Sequence, residues 1–309
     1  MSDMTVQELK STFLDDLAQL YPKEEIQSFF NLLVSHKLKL SRTDIALNPD
    51  LTIQQSYLAF FLNALTDLQH EKPIQYIIGE TEFYGLPFMV NKNVLIPRPE
   101  TEELVEWVLE DGRQKTEDQK QVQILDIGTG SGCIAITLAK NLTNASVFAL
   151  DISKEAIKIA RQNAELNKVN IHFIEGDILN TNVMLSGVEA LRTDSVESYL
   201  NEKSLSLKFD FIISNPPYVR ELEKREIQNN VLENEPHLAL FVDDNNPLLF
   251  YDKIADFAKE HLAKNGQLFF EINQYLGKET IELLKQKEFT SIELKKDIFG
   301  NDRIIKASF

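Results

Sequence analysis

The residues best suited to chemistry in this sequence are Asn215-Pro216-Pro217-Tyr218. They follow the apolar run Ile212-Ile213-Ser214, which predicts the end of a buried strand. Because two prolines remove two backbone donors and fix the chain, the Pro216 carbonyl and the Asn215 side-chain amide can both point outward as acceptors. Such a pair matches the two N–H bonds of a planar amide or an aromatic amine, and Tyr218 offers a flat wall for stacking. We therefore predict a substrate site at Asn215 to Tyr218, with Asn215, Pro216 and Tyr218 as the catalytic residues.

A second set of residues predicts a cofactor site. The loop Gly128-Thr129-Gly130-Ser131-Gly132 follows an apolar run and opens a helical pattern, so its backbone can turn tightly and approach a ligand closely. Asp151 comes 19 residues after the last glycine, at the end of the next apolar run. A carboxylate there is suited to accept both hydroxyls of a ribose and would repel a 2′-phosphate, which disfavours NADP. The pattern predicts an adenosine-containing cofactor.

Two further residues are candidates for the adenine end of that cofactor. Asp177 follows the third apolar run and is suited to accept from an adenine amino group, with Ile178 lying against the ring. A surface turn is the alternative interpretation of Asp177. Asn215, at the neighbouring strand end, is predicted to face the cofactor as well as the substrate.

These residues fall at the ends of predicted strands. From residue 121 onward, short apolar runs alternate with helical patterns, which predicts a mostly parallel sheet with helices on both faces. Ligands of such sheets bind outside the carboxyl ends of the strands, where all of the candidate residues are expected. The predicted strands are 122–127, 146–150, 170–174, 209–214, 267–272, 291–296 and 303–308.

The remaining segments predict parts that flank this domain. Residues 1–72 show helical spacing of apolar residues behind Thr5, a predicted N-cap, and indicate a small helical domain for packing or recognition. Residues 73–96 carry short apolar runs around glycine, proline and asparagine, which indicates a β-hairpin linker, and 97–309 form the α/β domain. The polar stretch 180–208 interrupts the alternation, and we predict an insertion there without chemistry.

Composition excludes several classes of protein. The 309 residues hold 32 Lys and Arg against 48 Asp and Glu, a net charge of −16, which argues against a large nucleic-acid footprint. One cysteine and five scattered histidines offer no disulfide and no metal-ligand spacing, so no metal site is predicted. No apolar stretch is long enough for a membrane span, and the N-terminus lacks a signal pattern, so we expect a cytoplasmic protein without membrane contact.

With these residues in place, the chain resembles the class I S-adenosylmethionine-dependent methyltransferases of the N-P-P-Y type. More narrowly, it is similar to the peptide chain release factor glutamine N5-methyltransferases. The resemblance implies a Rossmann-like domain with a seven-stranded, mostly parallel sheet, joined by a β-hairpin to a helical N-terminal domain for substrate recognition. The narrower resemblance is carried by Pro73 to Gly79, Phe83 to Gly85, Val94 to Glu102 and Asp297 to Arg303.

The resemblance also implies roles for the candidate residues. S-adenosylmethionine would be the cofactor, with Gly128 to Gly132 at its methionine part and Asp151 at its ribose. Asn215 to Tyr218 would hold the glutamine of the Gly-Gly-Gln motif of class 1 release factors, the expected protein partners, and its N5 would be methylated. Neither nucleic acid nor a membrane is expected as a partner.

The sequence departs from the family pattern at three places. Ile178 stands where the family often has an aromatic residue beside adenine, and 243–247 replaces a stretch that is usually rich in glycine. Asp177 and Asn215 lie 38 residues apart, which is longer than usual. Three alternatives also stay open: a glutamine methyltransferase acting on a ribosomal protein, a nucleic-acid adenine N6-methyltransferase, and an inactive cofactor-binding module. The acidic composition and the Pro97 to Glu102 stretch favour the release factor enzyme over the nucleic-acid one.

Overall fold

The computed structural model describes residues 4–116, 121–180 and 207–309. The chain forms two compact units, one of Met1–Gly79 with Gln228–Asn234, the other of Glu80–Ile227 with Glu235–Phe309. The insertion predicted at 180–208 lies, apart from its ends, outside the described residues. Within the described ranges, no helix has the length and apolar character needed to cross a membrane.

The first unit is helical. The predicted N-cap at Thr5 is confirmed, because its hydroxyl accepts from the Glu8 amide while the Glu8 carboxylate accepts from the Thr5 amide. Apolar side chains at helical spacing, including Phe13, Phe30 and Phe61, are fully buried in one core. The helices are α1 (Val6–Leu17), α2 (Lys23–Leu38), α3 (Arg42–Leu47), α4 (Gln55–Gln69), α5 (Ile74–Ile78) and, later in the chain, α9 (Asn229–Asn234).

The structure differs from the sequence expectation at two places in this unit. The apolar spacing predicts a helix from Thr52 to about Gln69. Helix α4 instead begins at Gln55, because Thr52 pairs with Thr5 in an extended bridge. The unit also extends past residue 72 to Gly79, whose positive φ of 83° ends α5. Buried Ile74 lies in the core of this unit, so the start of the segment expected as a linker belongs with the helices.

The second unit is built on a seven-stranded sheet. In order across the sheet, its strands are β10 (Ser291–Lys296), β11 (Asp302–Ser308), β9 (Leu262–Glu271), β6 (Phe209–Ser214), β3 (Val122–Ile127), β4 (Ala145–Asp151) and β5 (His172–Glu175). Strands β5, β4, β3, β6 and β9 are parallel neighbours, and β11 pairs antiparallel with both β9 and β10. This confirms the predicted mostly parallel sheet. Two further strands, β7 (Val219–Arg220) and β8 (Phe241–Val242), pair with each other outside this sheet.

Helices cover both faces of this sheet, as the run of apolar residues in each strand requires. In β3, Ile124 packs into the core on one face and Leu125 into the core on the other. The first face carries α6 (Pro99–Thr116), α7 (Cys133–Asn141) and α8 (Lys154–Asn167), and the second carries α11 (Leu249–His261) and α12 (Gly277–Gln286); the short helix α10 (His237–Leu240) precedes β8.

A β-hairpin precedes the sheet in this unit. Strands β1 (Glu80–Phe83) and β2 (Leu86–Met89) pair antiparallel across the two-residue turn Tyr84-Gly85, whose φ angles are 51° and 71°. Positive φ at both turn residues is the geometry of a tight hairpin. Asn163 on α8 ties this hairpin to the glycine loop, because its amide bonds to both backbone groups of Met89 and to the carbonyl of Ser131.

Candidate active site

The carboxyl ends of the central strands bring the predicted site residues to one edge of the sheet. In the register, Ile127 pairs with Leu150 of β4 on one side and with Ser214 of β6 on the other. The Ser214 hydroxyl also donates to the Ile127 carbonyl at 2.7 Å, which fixes the two strand ends together. The glycine loop and Asn215 therefore start from adjacent positions.

The glycine loop is held in its shape by bonds within the protein. The amides of Gly128 and Thr129 both donate to the Leu150 carbonyl, at 2.8 and 3.0 Å, and the Gly130 amide donates to Asp151 at 2.8 Å. The Gly132 amide bonds back to the Thr129 carbonyl at 2.8 Å. These four bonds hold the loop in one conformation from within the protein.

The three glycines of the loop face different surroundings, although all have positive φ. A Cβ built on Gly128 or Gly130 would meet no atom within 4 Å, so the backbone there borders open space. A Cβ on Gly132 would lie 2.9 Å from Ile136 and 3.1 Å from Ala160, so this glycine serves close packing. The first two glycines form a cradle that a ligand can approach.

Asp151 combines protein hydrogen bonds with access to the cavity. Its Oδ2 accepts from the Gly130 amide and its Oδ1 from the Ser153 amide, both at 2.8 Å. Each oxygen keeps a second lone pair, which is the acceptor pair that a ribose diol needs. Burial raises the pKa of Asp151, and the backbone amides lower it again.

One cavity of about 210 Å³ connects most of the predicted residues. Asp177 and the buried Ile178 line it near the end of β5, and Asp177 also accepts from the Leu179 amide at 2.9 Å, as a turn aspartate does. The lining contains apolar and polar residues suited to a nucleoside. Among them are Gly128, Gly130, Asp151, Ile152, Asp177, Ile178, Asn215, Pro216, Pro217 and Leu238.

The structure does not bring every predicted residue to that cavity. Thr129 and Ser131 are buried, and the Thr129 hydroxyl donates to Asp126 at 2.6 Å. Tyr218 is only partly buried, but its hydroxyl donates to Glu271 at 3.0 Å, and it is not among the cavity-lining residues. Its stacking role therefore stays a prediction.

Asn215 and Pro216, the predicted acceptor pair, lie beside the glycine loop. Asn215 and Pro216 both line the cavity. Among the residues that the structure describes, no donor bonds to the Pro216 carbonyl or to Asn215 Oδ1. Both oxygens are therefore available to accept from a planar NH2 group.

Sequence reasoning missed the residues that support this pair. Glu271, at the end of β9, is 1% exposed and accepts from the Thr101 hydroxyl at 2.6 Å as well as from Tyr218. Burial raises the pKa of Glu271, while the two hydroxyls and Arg303 lower it. A carboxylate that ends a buried apolar strand next to the Asn215 strand is the sequence signal that could have found it.

The 243–247 loop lies apart from the lining of the cavity. Asp243 accepts from the Asn245 amide at 2.8 Å, and Asp244 accepts from the Leu222 amide at 3.1 Å. These bonds shape an exposed acidic turn and contribute no side chain to the cavity.

Comparisons with known proteins identify both parts of the chain. Residues 118–271 match the family described as "Methyltransferase domain", and residues 13–79 match the "PrmC N-terminal domain". Proteins named release factor glutamine methyltransferase are similar over nearly the full length. The relative from Flavobacterium psychrophilum is 52% identical over 99% of this chain and 100% of its own; those from Bacteroides thetaiotaomicron and Streptococcus pneumoniae are 40% identical (94% and 96%) and 37% identical (98% and 98%).

Proposed function

Because the chain belongs to the release factor glutamine methyltransferase family, we propose that it methylates the side-chain amide nitrogen (N5) of the glutamine in the Gly-Gly-Gln motif of class 1 peptide chain release factors. The second unit has the Rossmann-like class I methyltransferase fold, and S-adenosylmethionine is the methyl donor of that class. One observation carries the proposal: two free acceptor oxygens and an open glycine cradle line the same cavity.

The cofactor fits the residues of this cavity. S-adenosylmethionine supplies an electrophilic methyl group on a sulfonium sulfur. Gly128 and Gly130 would border its methionine part, Asp151 would accept from its ribose hydroxyls, and Asp177 with Ile178 would flank its adenine. The open space at the two glycines and the free lone pairs of Asp151 support this assignment.

The substrate amide needs positioning more than activation. An amide nitrogen is a poor nucleophile because its lone pair is delocalised into the carbonyl. Asn215 Oδ1 and the Pro216 carbonyl would accept its two N–H bonds and hold the nitrogen toward the methyl donor. The same acceptors would stabilise the positive charge that grows on nitrogen as the N–CH3 bond forms and the S–CH3 bond of the sulfonium breaks, with S-adenosylhomocysteine as the leaving group. The methylated nitrogen would then release one of its two protons to solvent, which gives the neutral N-methyl amide. Orientation of this kind is worth about 7–11 kcal/mol in well-oriented reactions.

The substrate also sets the expected place of action. Class 1 release factors work on the ribosome, so we propose a cytoplasmic enzyme whose partner is a folded protein. The net charge of −16 supports a protein partner over nucleic acid. DNA and a ribosomal protein, the substrates of two alternative functions, serve as comparison substrates in an activity assay.

Replacing the key acceptor tests the assignment of the site. We expect Asn215→Ala to lower kcat by at least about 100-fold, because it removes an interaction that strengthens in the transition state. The dissociation constant of S-adenosylmethionine, measured by calorimetry, should change less than about threefold. Asn141→Ala, at an exposed asparagine on α7, is the control and should retain wild-type turnover. Methylation by Asn215→Ala at the wild-type rate would overturn the assignment.

A further inference from the structure

Glu271 is placed to hold the N-P-P-Y segment from the neighbouring strand. Phe270, just before it, pairs with Ser214, just before Asn215. The buried carboxylate accepts the Thr101 hydroxyl at 2.6 Å through one oxygen and the Tyr218 hydroxyl at 3.0 Å through the other. In both bonds the hydroxyl is the donor, so the hydrogens of Thr101 and Tyr218 point toward the two oxygens of Glu271.

The bond to Glu271 limits which further hydrogen bonds the Thr101 oxygen can form. With its own hydrogen donated to Glu271, the oxygen is left as an acceptor, and the Asn215 Nδ2 group donates to it at 3.2 Å. If the Asn215 amide were turned over, its Oδ1 would face the Thr101 oxygen with no hydrogen between them. The hydroxyl therefore selects one of the two nearly isosteric orientations of the amide.

We propose that Glu271 and Thr101 form a positioning relay that fixes the Asn215 amide with Oδ1 toward the substrate nitrogen. The relay rests on the proposed function, since it is the glutamine NH2 group that requires an acceptor at this position. Thr101 and Glu271 act through Asn215 and are positioning residues. A misoriented amide would present NH2 to NH2 and would lose the hydrogen bond to the substrate.

Tyr218, at the other end of the N-P-P-Y segment, is held by residues at the end of β9 and just after it. Tyr218 donates its hydroxyl to Glu271, and its carbonyl accepts from Asn273 Nδ2 at 3.0 Å. Asn273 in turn donates to Glu223 at 2.8 Å. The end of β9 thus constrains both Asn215 and Tyr218, which leaves the Pro216 carbonyl between two fixed points.

A matched pair of variants tests the relay. Thr101→Val keeps the shape of the side chain but removes the hydroxyl, whereas Thr101→Ser keeps the hydroxyl. We expect Thr101→Val to lower kcat at least tenfold with the KM for S-adenosylmethionine close to wild type, and to lower the Tm because the buried Glu271 carboxylate loses a donor. Thr101→Ser should retain kcat within about threefold. Equal kcat for the two variants, whether both high or both low, would overturn the relay.

A second measurement decides the relay without any substrate. The side-chain NH2 signals of Asn215, assigned in ¹⁵N spectra by their loss in Asn215→Ala, should show slow hydrogen exchange in the wild type and in Thr101→Ser. In Thr101→Val they should exchange at least tenfold faster; unchanged exchange would contradict the relay. If Thr101→Val does not fold, Thr101→Ala replaces it, because it also removes the hydroxyl, with the same expected increase in exchange. If the wild-type enzyme methylates no release factor, the proposed function is wrong. The exchange rates of the Asn215 NH2 group would still show whether Thr101 orients the amide.

Discussion

Asp126 and Asp151 are neighbouring carboxylates with different surroundings. Asp151 accepts two backbone amides and lines the cavity, which suits it to a ligand. Asp126 is fully buried, accepts from Thr129, and among the described residues its Oδ1 has no hydrogen-bond partner. Burial raises the pKa of Asp126 to about 7. Asp126 therefore takes up a proton on folding at pH values below about 7. Burial raises the pKa of Asp151 as well, but backbone amides partly offset that shift.

This difference predicts how stability depends on pH. Because the pKa of Asp126 is higher in the folded state, its contribution is fully present below about pH 4 and is lost as the pH rises toward 7. Asp126→Asn has no such dependence. Its free energy of unfolding should therefore rise relative to wild type by about 1 kcal/mol per pH unit between pH 5 and 6, and by less as the pH approaches 7.

Urea unfolding at several pH values measures the effect. Asp50→Asn, at an exposed aspartate, is the control and should follow the wild-type curve. Parallel curves for Asp126→Asn and wild type would contradict the assignment of the raised pKa.

At the scale of elements, much of the architecture followed from the sequence. Apolar runs predict the central parallel strands because these are buried on both faces, and the ends of these strands carry residues that line the cavity. The bonds that orient those residues were not predictable in this way. Thr101 and Glu271 lie 170 residues apart, and only the fold brings them within 2.6 Å. Spacing along the chain carries no signal for such a contact.

Asn163 is a second long-range link of this kind, and it joins α8 to two other elements. Asn163→Ala would remove its bonds to Met89 and to Ser131, which lie at 2.6 to 3.0 Å. Leaving buried polar groups unpaired costs about 1–3 kcal/mol each. We expect the free energy of unfolding to fall by about 2–4 kcal/mol, measured by denaturant titration. The exposed neighbour Gln162→Ala should stay within about 0.5 kcal/mol of wild type; an equal loss in both variants would contradict a specific role for Asn163.

At the scale of the whole molecule, the net charge of −16 is the feature that concerns the partner. We expect release factors to carry basic surfaces. An acidic enzyme would then attract such a substrate by long-range electrostatic forces. Salt screens this attraction. The KM for the release factor should therefore rise several-fold between 50 and 300 mM salt, while the KM for S-adenosylmethionine changes little. If the KM for the release factor does not change with salt, the net charge of the enzyme does not contribute to substrate binding.

In the proposed function, the side-chain amide nitrogen of a release factor glutamine receives the methyl group. The most direct measurement incubates the enzyme with S-adenosylmethionine labelled in its methyl group and with release factor, ribosomal protein or DNA in parallel, followed by mass spectrometry of the labelled product. We expect label on the release factor, at the glutamine of its Gly-Gly-Gln motif. Label on DNA or on the ribosomal protein alone would contradict it.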